Sequence, residues 1–333
     1  MKIAMVGSYA HVGNVLNGVL GLEDVRIVAA TPYGPADKLG FIGRHQAAPA
    51  NLPVYDDYRK MIDETKPDLV SVYVPMYQIA EVSTAAAERG CHVIAEKPLA
   101  ITLADLETLR GAVEKNNVQI IASLGMRGAP AFQAVRQAVE CGRIGEPVHA
   151  FGQKSYPFGA RGEIYKKRET YGGSIPWQAI HALDFVAYCV GKDYKRVAAM
   201  HANVAHGEYG GTEDTGGILL EFAGGGHAVI SFDYFRPFTR GTGRNWGGDR
   251  LRVVGTEAEV EVLDDGNRVV LMTPTSKEDV PLPPGRDVVA EFIELLRGRR
   301  EDCLLSCAES LRMTEVALKA REAADTGTVI DLP

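Results

Sequence analysis

The 333-residue sequence predicts an α/β protein: an N-terminal doubly wound parallel sheet followed by an α+β domain with a large, open, mostly antiparallel sheet. Three observations carry this. Short apolar runs alternate with helical patterns through the first third. A glycine turn follows the first apolar run. Beyond about residue 125 the rhythm changes to long strand-like runs joined by Gly-rich turns. The expected division is 1–121 and 122–333, which suits ~100–200 residues per domain.

Lys2–Val6 reads as the first strand, and a helical pattern follows over Val12–Leu20. Val25–Ala30 is a second strand, stopped by Thr31-Pro32-Tyr33-Gly34-Pro35. Tyr55–Thr65 is helical and ends before Pro67. Leu69–Val74 is a continuous apolar run, as expected of a strand covered on both faces. Ala80–Arg89 is an alanine-rich helix with Gly90 placed to cap it. His92–Ala95, the helix Leu103–Asn116 and the strand Val118–Leu124 complete the repetition. Alternating strand and helix with short connections gives parallel pairing, with ligands at the carboxyl ends of the strands.

In the second part Ala131–Cys141 and Ile175–Val190 read as helices, and Val148–Ser155 as a strand. Strands follow at Arg196–Asn203, Gly216–Phe222, His227–Phe235, Arg250–Val254, Ala258–Leu263 and Arg268–Met272, then helices at Asp287–Arg297 and Ala308–Thr326. Ser155–Thr170 reads as a long loop. The exposed side of so large a sheet calls for a partner, so a homodimer or homotetramer through that sheet is expected.

Composition excludes several classes. Hydrophobic residues are 46%, charged residues 24% and the formal net charge is −7, which argues against disorder and against broad affinity for nucleic acid or anionic lipid. No stretch approaches the ~18 apolar residues of a membrane helix. Met1–Val6 stops at Gly7, short of the ~7–15 residues of a signal-peptide apolar core. The five cysteines (Cys91, Cys141, Cys189, Cys303, Cys307) contain no Cys-x-x-Cys pair, which suggests reduced, mostly buried thiols and a cytoplasmic protein. Cys303 and Cys307 would share a face of a helix but have no partners at zinc spacing, so no metal is expected.

The turn Gly7-Ser8-Tyr9-Ala10-His11-Val12-Gly13 joins a strand to a helix N-terminus, an arrangement that suits a pyrophosphate. It departs from the dinucleotide fingerprint: the outer glycines are six apart, and Tyr9 or Ala10 stands in the middle glycine's place. Thr31 occupies the end of the second strand, where an acidic residue would bind the ribose 2′-hydroxyl. Asp37 could serve a ribose and Lys38 lies nearby, so NAD and NADP both stay open.

The fourth strand runs into Glu96-Lys97-Pro98-Leu99-Ala100. Pro67-Asp68-Leu69-Val70 leads through to Val74-Pro75, Gly142-Arg143-Ile144-Gly145-Glu146 follows later, and Gly172-Gly173-Ser174 precedes His181-Ala182-Leu183-Asp184. With these segments in order, the chain resembles the glucose–fructose oxidoreductase / inositol dehydrogenase / rhizopine-catabolism (Gfo/Idh/MocA) family over nearly its whole length. The resemblance implies a Rossmann-type dinucleotide domain, a substrate-binding and oligomerisation domain, and hydride transfer between a nicotinamide and a sugar, cyclitol or related polyol. It implies Lys97 as the central catalytic residue and, with the glycine turn, places Gly7, Tyr9, Ala10, His11, Val12, Gly13, Thr31, Val74, Pro75, Glu96 and Lys97 around the cofactor.

The chemistry fits independently. Alcohol oxidation gives a hydride to nicotinamide and a proton to a base within hydrogen-bonding reach. Lys97, at a strand's carboxyl end, is placed for that base, and burial beside a cationic cofactor would lower its pKa. His181 is the second proton-transfer candidate. Asp184, three residues on, could orient it or stand independently on the helix. Trp177 stands where family dehydrogenases often carry aspartate; its flat face suits a sugar ring. Ala179, Met76 and Ile79 also replace expected polar or small residues. Arg127 and Tyr156 are further substrate-binding candidates. The loop cations Arg161, Lys166, Lys167 and Arg168 could favour an anionic substrate, and Tyr234 and Arg236 share a strand face. The departures leave two alternatives open: a redox-neutral lyase or hydrolase using transiently reduced NAD, and a non-catalytic dinucleotide- or sugar-binding regulator.

Overall fold

The computed structural model describes residues 1–237 and 249–332. In its first unit, β1 (Lys2–Val6), β2 (Arg26–Thr31), β3 (Leu69–Val72), β4 (His92–Ala95) and β5 (Ile120–Ala122) form one parallel sheet in the order β2-β1-β3-β4-β5. The connecting helices are α1 (Gly13–Gly18), α2 (Gly40–Arg44), α3 (Tyr58–Thr65), α4 (Met76–Ala87) and α5 (Leu103–Lys115). β3 is buried at every position, as its unbroken apolar run requires. Two of these helix starts are fixed by side chains: Asp57 accepts from the N–H groups of Arg59 and Lys60, and Thr102 from that of Asp105.

The second unit contains α6 (Pro130–Glu140), β6 (Pro147–Ser155), the single turn α7 (Arg168–Tyr171) and α8 (Ile180–Val190), the last entered through a π-helical turn at Ile175–Ala179. β7 (Tyr194–Ala202), β8 (Thr215–Phe222), β9 (His227–Asp233), β10 (Arg250–Gly255), β11 (Glu259–Leu263), β12 (Arg268–Met272) and β13 (Lys277–Val280) follow. After α9 (Val288–Leu296) and α10 (Cys307–Thr326), β14 (Ile330–Asp331) closes the sheet order β13-β12-β11-β10-β6-β9-β8-β7-β14. Among the described pairs of this sheet, β6–β9 alone is parallel.

One sheet face packs on α8. A Cβ at Gly152 of β6 would come 2.7 Å from Val186, so this crossing needs glycine. Phe132 of α6 stacks on Phe185 of α8 at 4.6 Å. The other face carries Ala198, Leu219, Val229 and Phe151 in register across four strands. Leu219 and Val229 are 51% and 36% exposed.

The compact units are Met1–Gly125 with Asp287–Thr314, and Met126–Arg286 with Glu315–Pro333. The expected division at 121/122 therefore differs in one respect: Asp287–Thr314 returns to the first unit. Gly18 of α1 sits against Val289, the Ala122 N–H donates to Ser310 Oγ at 3.1 Å, and the Leu99 N–H donates to Thr314 Oγ1 at 3.3 Å.

Local expectations are corrected elsewhere. The first helix is shorter than Val12–Leu20, and the loop expected at 155–170 contains a 3-10 turn at Glu163–Lys166 and the start of α7. Cys303 precedes α10, so it shares no helix face with Cys307. Cys141 is exposed and Cys303 and Cys307 are half-buried, so only Cys91 and Cys189 are the buried thiols expected. Among the described residues no helix is long and apolar enough to cross a membrane, and no group of His, Cys, Asp and Glu could hold a metal ion.

Candidate functional site

In the first unit the candidate residues gather at the carboxyl end of the sheet. The Gly7 N–H donates to the Thr31 carbonyl at 2.8 Å, and the Tyr9 N–H to the Tyr73 carbonyl at 2.8 Å. Gly7 has φ +79°, and a Cβ there would run into the Tyr73 carbonyl, so only glycine serves. Gly13 differs: a Cβ would meet only the Phe41 ring, at 3.5 Å. Ala10 takes φ 46°, a left-handed conformation that costs a non-glycine residue about 1–2 kcal/mol. Such strain at a loop crest is characteristic of binding sites.

Two buried carboxylates hold this loop. Asp37 accepts from Ser8 N–H (3.0 Å), Ser8 Oγ (2.5 Å), Tyr33 N–H (3.2 Å) and Leu39 N–H (2.9 Å). This corrects the reading of Asp37 as a ribose ligand, because four donors already engage it. Thr31 is 2% exposed, and its hydroxyl turns to Met61 Sδ at 3.2 Å. Its side chain thus packs inward, and only its carbonyl serves the loop. Glu96, fully buried, accepts from the His11 N–H at 3.3 Å and faces His11 Nδ1 at 3.1 Å. Lys97 Nζ lies 3.9 Å from Glu96 Oε1, and the lysine is buried. A cis Lys97–Pro98 peptide follows β4 directly. Val74 is buried and Pro75 caps α4.

Sequence reasoning missed the support beneath the loop. Tyr73 Oη and Ser123 Oγ share a hydrogen bond at 3.0 Å, and Asn14 Nδ2 donates to the same Ser123 oxygen at 3.0 Å. Burial, with Glu96 adding to it, pushes the Tyr73 phenol far above its ordinary range, so it stays protonated. An open loop with a glycine that its neighbours demand, braced from below, has the form a dinucleotide pyrophosphate needs. Ser8, Tyr9, Ala10, His11 and Gly13 are exposed or half-buried, while Val12 is buried.

The second unit groups its candidates differently. Arg127 and Asp184 form a buried pair: Nε donates to Oδ1 and Oδ2 at 2.9 and 3.1 Å, and Nη2 lies 2.8 Å from Oδ1. Gln133 donates to the Arg127 carbonyl, and the guanidinium lies 5.1 Å from the Tyr188 ring centroid. The pair fastens α8, which carries His181, to the start of the unit. His181 is 7% exposed.

Trp177 lies in the π-helical turn and meets Tyr165 edge-on at 6.4 Å. Tyr165 packs on Tyr171 at 4.8 Å, and Tyr171 Oη and Tyr234 Oη share a 2.6 Å hydrogen bond. Burial pushes the Tyr234 phenol up to about 12. Tyr156 stacks near Tyr234 at 6.3 Å. Arg161 sits over the rings of Tyr234 (4.4 Å), Tyr165 (4.8 Å) and Phe158 (5.4 Å). Tyr234 lies just past β9, so the strand face it was expected to share with Arg236 is absent.

A buried lysine here was also missed. Lys154 Nζ reaches Asp249 Oδ2 at 2.5 Å and Met126 Sδ at 3.3 Å, and lies 4.8 Å from the Tyr156 ring centroid. The available signal was weak: a lysine two residues from Gly152 in a strand, VHAFGQKS, that mixes apolar and polar residues.

Comparison with known proteins places both units. Residues 1–124 match the model of an oxidoreductase family with an NAD-binding Rossmann fold, and residues 132–261 that of the GFO/IDH/MocA C-terminal domain. A solved Thermotoga maritima structure is 33% identical, with TM-score 0.91, covering 99% of this chain and 100% of that one. The myo-inositol 2-dehydrogenase of T. maritima is 29% identical over 65% of this chain and 59% of its own length. The 1,5-anhydro-D-fructose reductase of Ensifer adhaerens is 31% identical over 47% and 50%. The chain spans about half the length of the curated relatives it matches. On the two family matches and the full-length structural likeness, the chain belongs to the Gfo/Idh/MocA oxidoreductase family.

Proposed function

We propose that the protein is an NAD(P)-dependent oxidoreductase that transfers a hydride between the nicotinamide and a CH–OH carbon of a sugar, cyclitol or related polyol. The observation that carries this reading is Lys97: a buried lysine two residues past the end of β4, beside the buried Glu96 that also holds the glycine loop. The first unit provides the dinucleotide cradle, with Gly7 at its turn, Tyr9–His11 at its lip and Val12 packed beneath. The family match favours NAD. Bound nicotinamide would supply the hydride acceptor.

The chain's own groups handle the proton. Lys97 is assigned the base that takes it from the substrate hydroxyl, and His181 a share in that transfer. Asp184 and Arg127 act as positioning residues, through the pair that fixes α8. Trp177 and Tyr156 are assigned apolar faces for substrate C–H groups. The sheet face bearing Leu219 and Val229 is assigned to a homodimer or homotetramer interface. The five free cysteines belong with a cytoplasmic setting.

The relatives named a dehydrogenase and a reductase support net redox chemistry, and no described residue favours the redox-neutral or non-catalytic alternatives. Mixing the protein with NAD or NADP and a panel of polyols tests the reading. Reduction of nicotinamide by at least one polyol is expected. A folded protein that binds neither dinucleotide contradicts it.

A further inference from the structure

The second unit holds more buried positive charge than its neighbours neutralise. Lys154 and Arg236 share one carboxylate, Asp249, at 2.5 and 3.5 Å. Both cationic side chains are nearly buried, at 8% and 9% exposure. Arg236 Nε is buried with no hydrogen-bond acceptor among the described residues. A buried charged donor left unmatched is costly, and a ligand that accepts from it removes that cost.

Among the described residues, Asp249 is the one carboxylate paired with Lys154 or Arg236. Arg161, one tyrosine pair away, is met by three aromatic rings and donates Nε–H to the Phe158 carbonyl at 2.9 Å. Asp233, on the neighbouring strand, pairs in register with Ser155 and accepts from its hydroxyl at 2.8 Å. Alternation along β6 sets Ser155 and Asp233 on the face opposite Lys154. Burial and the neighbouring Arg236 hold the Lys154 ammonium below its ordinary pKa despite the pull of Asp249. The cluster reaches solvent at Asp249, 20% exposed, and beside the half-buried Tyr156, whose ring lies against Lys154.

We propose that Lys154 and Arg236 form an anion-binding end of the substrate site, and that the substrate is a polyol or sugar bearing a carboxylate. This rests on the reading of the second unit as the substrate-binding part. A carboxylate offers two oxygens in a plane, matching an arginine edge, while the lysine adds a point charge. The adjacent tyrosine faces suit the C–H groups of the carbon chain.

Calorimetric titration of the full chain, with NAD present, tests this with matched pairs: aldonates and uronates against the neutral polyols and aldoses of the same configuration, and against the corresponding sugar phosphates. At least one acid is expected to bind about 10- to 100-fold more tightly than its neutral counterpart, the range of one charge-assisted hydrogen bond. Arg236→Met should bring that ratio toward one, and Arg236→Lys should retain part of it. The ratio in the native chain decides the matter if the variant fails to fold. The inference is overturned if no acid is preferred, if phosphates bind more tightly than carboxylates, or if a folded Arg236→Met keeps the full preference. Acid binding without nicotinamide reduction would leave this inference standing and remove the oxidoreductase reading. Reduction by neutral polyols with no acid preference would do the reverse.

Discussion

The glycine loop of the first unit and the aromatic–cationic face of the second are built on opposite electrostatic plans. Around the loop, Asp37 and Glu96 are buried anions that accept from loop N–H groups, so the backbone presents the binding surface. In the second unit, Lys154 and Arg161 are cations set against tyrosine rings and Arg236 shares Asp249 with Lys154, so side chains present the surface. A backbone-built site can accept any ligand with the same phosphates; a side-chain-built site can choose among ligands. The contrast suits a shared cofactor in one unit and a particular substrate in the other.

The largest stability effect should come from the second unit's buried ion pair. Arg127→Met leaves the Asp184 carboxylate buried without its partner and should cost about 3–5 kcal/mol, read as a fall in the denaturant midpoint. Arg127→Met with Asp184→Leu should recover much of that loss. A single variant as stable as the native chain would show that the pair does not fasten α8.

The loop gives a smaller and more local effect. Gly7→Ala combines a left-handed φ with overlap against the Tyr73 carbonyl, for a loss of about 2–4 kcal/mol in thermal unfolding. Gly13→Ala should be within about 0.5 kcal/mol of native, because its Cβ has room. Equal effects at the two positions would break the claim that the turn, and not the glycine pair, builds the cradle.

Asp214 sharpens the comparison through pH. It is buried, yet the N–H groups of Ala205 (2.7 Å) and Val204 (2.9 Å), with His206, outweigh that burial and hold its carboxyl below the usual range. A depressed carboxylate stabilises the fold above its unfolded pKa, and that stability is lost as pH falls through the lower folded value. Asp214→Asn should therefore cost about 1–3 kcal/mol at neutral pH. Its difference from native should shrink below about pH 4, in parallel acid-unfolding curves. One expected effect is a gain: Ala10→Gly relieves the left-handed strain and should add at most about 1 kcal/mol of stability.

These cases show what was legible in the chain. β4 and the body of α5 follow from local apolar pattern and caps, so the sequence reading places them within a residue. The Lys97 and His181 segments were visible as motifs. Side-chain pairs distant in sequence were not: Arg127 meets Asp184 across 57 positions, and Lys154 meets Asp249 across 95. No periodicity encodes such meetings. The return of Asp287–Thr314 to the first unit was hidden for the same reason, since its helices look alike whichever sheet they cover. Asp37 looked like a ribose ligand because its position near the end of β2 was legible, while its four donors were not.

Lys97→Met tests the central claim most directly, because it keeps most of the side chain's apolar bulk and removes the ammonium that would exchange the proton, along with its charge beside Glu96. With a polyol or sugar acid that the native protein oxidises, nicotinamide reduction should slow by about 100- to 10,000-fold while the variant still binds the dinucleotide. A variant that turns over at the native rate would contradict the account.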